Sequence, residues 1–164
     1  MSDDWGPPYS AYRLIRVRSL PVPHNPFRLP EELADDWLAL CGAAGHRHQG
    51  FRARRGRDRW VRKQRDRSDL ALIWDMAGVD WTLAADLARR IWARGERQWG
   101  DGTAAEEILA DHRSGEVGLA AYNLCYQPIV WSRGDDGFTD GQHRSLVLAV
   151  QNVERVLVCT TRRW

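Results

Sequence analysis

Asp140-Gly141-Gln142-His143-Arg144-Ser145 is the most chemically loaded turn in this chain. Arg144 offers a planar fork of donors that fits phosphate oxygens. Gly141 sits where the backbone must turn tightly. A helix starting near His143 directs its first free N–H groups and its positive dipole end back at Asp140-Gly141-Gln142, where an anion can bind. His143 can donate a hydrogen bond or exchange a proton near neutral pH, and Ser145 can cap the helix or touch the same anion. In a catalytic site Asp140 would bind Mg²⁺ or orient a nucleophile, and His143 would serve as acid or base in phosphoryl transfer or phosphoester hydrolysis. The same six residues also fit a plain turn, with His143 and Arg144 solvated on an ordinary first helical turn.

Two elements must hold this turn in place. Upstream, Tyr126–Trp131 is an apolar run of strand length followed by a hairpin-like break over Ser132–Gly137. Pro128 within it argues for an edge strand, a strand start or a bulge. Downstream, Leu146–Val150 continues as helix, Asn152 turns the chain, and Arg155–Cys159 reads as a closing strand.

Strand, Asp-Gly-Gln-His-Arg-Ser, apolar helix, short turn and strand together resemble the phosphate-binding signature of the ParB/sulfiredoxin-like superfamily in its DGQHR variant. The resemblance covers Tyr126–Cys159, with a fainter echo over Tyr12–Leu40. It implies an α/β (α+β) fold, a small mixed sheet carrying a helical insertion. It also implies a nucleotide such as ATP or CTP, with Mg²⁺, as possible cofactors. Carried over by position, Gly141 and Arg144 would hold phosphate with Gln142, His143 and Ser145 beside them. Glu32, on the segment resembling the family's opening helix, would face the same site as a base or metal ligand; a solvated helix face is the alternative for the acids there. Gln142 stands where sulfiredoxin has its reactive cysteine, so sulfinic acid repair is not expected.

A second constellation lies in His46–Arg67, which holds ten Arg/Lys against two Asp, a net +8 that leaves −6 on the remainder. Arg52, Arg54, Arg55, Arg57, Arg59, Arg62 and Lys63 interleave with Phe51 and Trp60. That mixture can neutralise phosphates and stack bases, the footprint of nucleic-acid contact. An exposed loop or hairpin fits the same run equally well. A non-catalytic DNA- or RNA-binding or adaptor protein is therefore the alternative to a phosphoester hydrolase. Cys41, His46 and His48 lack a fourth ligand at a recognised spacing for zinc.

The 164 residues suit one domain, with a basic segment at 42–67 and a helical insertion at 68–115. Hydrophobic content of 43% and charge of 28% are ordinary globular values. Three widely spaced cysteines without a C-x-x-C pair argue against a disulfide framework and for a reducing cytoplasm. No apolar stretch reaches the length of a membrane span, and the acidic, proline-containing N-terminal stretch is unlike a secretory signal. A homodimer or a protein partner stays open.

Elsewhere Arg13–Arg18 reads as a half-buried strand, and Pro30 opens a helix burying Leu33, Trp37, Leu40 and Cys41. Ser68-Asp69 starts a helix ending at Gly78. Asp80 caps another through Leu83, Leu87 and Ile91. Thr103-Ala104-Ala105-Glu106 forms a capping box for a third, stopped by Gly115. Arg89, Arg90, Arg94 and Arg97 cluster late in the second, as in a DNA-binding module, a lid or a packing helix.

Overall fold

The protein mixes α-helix and β-strand. The computed structural model describes residues 10–22, 35, 37, 39, 51–64, 79–94, 103–112, 114–132 and 137–161. The strands are β1 (Ser10–Arg16), β2 (Ile129–Ser132), β3 (Gly137–Asp140) and β4 (Arg155–Thr161). The helices are α1 (Phe51–Gln64), α2 (Trp81–Ala93), α3 (Thr103–Ile108), α4 (Glu116–Tyr126) and α5 (Gln142–Val150). Short 3-10 turns follow β1 at Val17–Ser19 and α3 at Ala110–His112.

One four-stranded sheet runs in the order β1-β4-β2-β3. β4 pairs antiparallel with β1, from Ser10 opposite Thr161 to Arg16 opposite Arg155, and parallel with β2, from Ile129 opposite Val158 to Ser132 opposite Thr161. β2 and β3 form an antiparallel hairpin, and α5 carries the chain across to β4. Five consecutive β4 residues, Val156 to Thr160, are buried, so both faces of this central strand are covered. Pro128, which lacks an N–H for the ladder, stands just before β2 rather than within it.

Around the sheet, α2 shows the periodicity of a half-buried helix: Trp81, Ala84, Ala85, Leu87, Ala88 and Ile91 are all inside. The Asp80 side chain accepts from the Leu83 N–H at 2.9 Å, as expected for its N-cap. At its start, Gln151 reaches over from the end of α5, its Oε1 accepting from the Trp81 N–H and its Nε2 donating to the Val79 carbonyl. Facing α2, α4 buries Gly118, Ala120, Ala121, Leu124 and Cys125, mostly small side chains that let the two helices lie close. A Cβ at Gly118 would meet the His112 carbonyl oxygen at 2.1 Å, so that turn admits no side chain. Gly115, expected as a helix stop, instead sits at the N-cap of α4.

Over its described residues, Phe51–Gln64, the basic segment is a helix and not a loop or hairpin. Ala53, Arg57, Trp60 and Val61, spaced i, i+4, i+7 and i+8, turn inward. Trp60 packs edge-on against buried Trp37, ring centroids 5.0 Å apart at 77°. Burying an anchor of this size contributes roughly 1.5–3 kcal/mol. Among the described residues no helix is long and apolar enough to cross a membrane. The expected helix from Ser68 and the residues Cys41, His46, His48 and Arg97 lie outside the described residues.

Candidate nucleic-acid interface

A helix does begin beside the Gly-x-x-Arg turn. Gly141 is its N-cap with φ 82°, in the left-handed region that favours glycine. The position is also sterically closed, because a Cβ there would lie 2.8 Å from Cγ1 and 2.9 Å from Cα of Ile129 in β2. Just upstream a bulge skips one β3 residue: Val130 faces Asp140 while Trp131 faces Phe138. The bulge bends β3 and so sets how Asp140 enters the turn. Its Oδ1 accepts from the Gly141 N–H at 2.6 Å, and its Oδ2 lies 3.3 Å from Nη2 of Arg144. Ser145 is buried, with Oγ donating to the Gln142 carbonyl at 2.6 Å rather than capping the first turn. Gln142 and His143 are half-buried, and His143 Nε2 lies below the surface.

Arg144 has a different set of partners from those the sequence suggests. Its Nη1 donates to the Gln127 carbonyl and, more weakly, to that of Asn123 at 3.4 Å. These oxygens belong to the last turn and C-cap of α4, where a cation complements the dipole; the Asn123 carbonyl also accepts from the Gln127 N–H at 2.9 Å. The side chain is only 14% exposed. Burial pushes the guanidinium below its usual pKa, and the Asp140 carboxylate partly restores it. The six-residue turn is thus a clasp: Asp140 and Arg144 bind β3 and α5 to the end of α4.

The exposed side of α1 is the other cluster. Arg52, Arg55, Arg59, Arg62 and Lys63 are all exposed, and at 100° per residue they form one stripe opposite the buried face. Arg52, Arg55, Arg59 and Arg62 make no ion pair or side-chain hydrogen bond with any described residue. Four unneutralised guanidiniums therefore line about 15 Å of helix, given a rise of about 1.5 Å per residue. Arg54 is half-buried on the flank.

Two expected contact residues are not on this face. Arg57 is buried, with Nη1 donating to the Leu20 carbonyl at 2.8 Å, Nη2 to the Arg18 carbonyl at 2.8 Å, and Nε and Nη2 to Asp58 Oδ1. Its donors pin α1 to the segment after β1, so it is a structural cation and not a phosphate contact. Trp60, enclosed against Trp37, has no accessible face for a base. The signal for both was their inward spacing with Ala53 and Val61, masked by the surrounding charge. Of the late cations in α2, Arg89 pairs with Asp86 at 2.6 Å and Arg94 with Glu107 at 2.8 Å, so both are already neutralised.

Glu32 lies outside the described residues. Among the described residues no three His, Cys, Asp or Glu converge as a metal would require. Asp140 has one oxygen on an amide and the other beside Arg144, a poor fit to Mg²⁺. No protein-family model, curated protein or solved structure matches the chain.

Proposed function

We infer that this protein binds the phosphate backbone of a nucleic acid along the exposed face of α1, without turning it over. The observation that carries this reading is the row Arg52, Arg55, Arg59 and Arg62, unpaired among the described residues and opposite a buried face that fixes its orientation. A strand advances about 3.4 Å per phosphate along the duplex axis, so a row about 15 Å long meets roughly four phosphates. Four neutralised phosphates give a log K against log [salt] slope of about −3.6 on duplex or −2.8 on single strands. Fluorescence anisotropy with labelled oligonucleotides across a salt series measures it. Replacing Arg52, Arg55 and Arg59 together by Gln should abolish most binding without lowering stability, whereas Arg144→Met should leave binding intact. Absence of binding by the wild type at low salt would refute the proposal.

A second reading keeps the ParB/sulfiredoxin-like resemblance, with ATP or CTP phosphate held at the start of α5 for phosphoester chemistry. What favours it is that the N-cap of α5, Gly141, has no side chain to cap the first turn. Against it stand the commitment of Arg144 to α4 carbonyls and the Asp140 carboxylate beside the turn. Thermal-shift measurements with ATP and CTP, with and without Mg²⁺, test this reading: a stabilised wild type supports it.

A further inference from the structure

The cationic row does not end in open solvent. Arg62 also lines a cavity of about 200 Å³ between α1, the 3-10 turn after β1 and the far end of α5. Its floor is apolar, from Val17, Val61 and Val153, while Arg18, Arg62 and Asp58 provide polar groups reaching solvent. Ala149, at this cavity, lies seven positions along α5 from Gln142 at the clasp, a distance of about 10 Å. The cavity is therefore independent of the DGQHR turn.

Size narrows the occupant. Pockets for drug-sized ligands run from about 300 to 1,000 Å³, so a whole nucleoside triphosphate is too large and a single planar base is not. Chemistry narrows it further. Arg57 donates twice to Asp58 Oδ1, which fixes the carboxylate, and Oδ2 accepts no hydrogen bond from any described residue. An oriented carboxylate oxygen selects a donor edge, such as the exocyclic amine of cytosine. Arg18 and Arg62 line the same cavity and can hold the phosphates next to the base.

We propose that this cavity receives one unpaired, amino-bearing base from a strand whose phosphates follow α1, with Asp58 accepting from the amine. This rests on the nucleic-acid reading above and adds strand and base selectivity. A paired base cannot enter, since its edge is taken by its complement and its faces by stacking. The protein therefore prefers single strands to duplex.

The test compares oligo(dC), oligo(dT) and duplex of about 12 nucleotides, within the usual site sizes for single-strand binding. Oligo(dC) should bind about tenfold tighter than oligo(dT), the discrimination of one well-placed acceptor. Ala149→Leu, which fills the cavity from α5, should erase the single-strand preference and leave duplex affinity unchanged. Asp58→Asn makes the outcome sharper. Removing a negative charge should tighten backbone binding to all three probes while cancelling the dC over dT preference, a pattern that simple electrostatics or misfolding does not produce. Equal affinity for the three probes, unaltered by either variant, overturns this inference and leaves the backbone reading standing. A single-strand preference without dC over dT discrimination overturns the role of Asp58. Failure to bind any probe removes the backbone reading itself.

Discussion

Arg144→Met isolates what the clasp contributes to stability. Methionine keeps much of the side chain's length and apolar stem while deleting every donor. The lost interactions are a hydrogen bond to the Gln127 carbonyl, a weaker one to Asn123, and a contact with Asp140. A hydrogen bond to a charged group contributes about 1.5–3 kcal/mol, and part of that is the favourable placement of a cation at a helix C-terminus. The Asp140 pair adds little, roughly 0–1 kcal/mol, because that carboxylate is 64% exposed. Burying the guanidinium carries a desolvation cost, which caps the net loss at about 2–4 kcal/mol. With a urea m-value near 2 kcal/mol per M, the unfolding midpoint should fall by about 1–2 M. Urea titration followed by tryptophan fluorescence measures it. Asp140→Asn should cost at most about 1 kcal/mol, and Arg144→Lys should fall between. If Arg144→Met shifts stability by less than about 0.5 kcal/mol, the clasp is a surface arrangement and the reasoning fails.

Two further outcomes follow from the same contacts. Gly141→Ala must adopt a left-handed backbone and press on Ile129, so it should lose at least about 2 kcal/mol in the same titration. Tyr12 is held above its ordinary pKa of 10.0 by burial, then by electrostatic repulsion from Cys159 and Cys125. A raised folded-state value favours the protonated form, so its stabilisation is complete below pH 10 and is lost as pH rises through the folded value. Stability measured from neutral to alkaline pH should fall less steeply in Tyr12→Phe than in the wild type; equal profiles would contradict the assignment.

What sequence reasoning recovered was mostly local. The Asp80 cap, the apolar run of β4 and a helix beginning beside Gly141 each follow from neighbours within a few positions. The basic helix was harder because its inward face includes Arg57, which breaks the apolar pattern that marks a helix. The compensation for burying that charge, the carbonyls of Arg18 and Leu20, comes from another part of the chain. Helix α4 went unrecognised because its buried side is mostly glycine and alanine, with only Leu124 and Cys125 beside them, and Tyr126, read as strand, belongs to its last turn. The Arg144 partners lie 21 and 17 residues upstream, a distance at which no spacing rule operates.

The central place of β4 has a consequence for how the chain reaches its final form. β1, which precedes the other described strands in the chain, finds its neighbour only when Arg155–Thr161 arrives, since no other described strand pairs with it. Until then its amides and carbonyls face water or whatever else offers a strand edge. A ribosome-stalled chain that stops before Arg155 should stay protease-sensitive and invite chaperones, however complete its helices are.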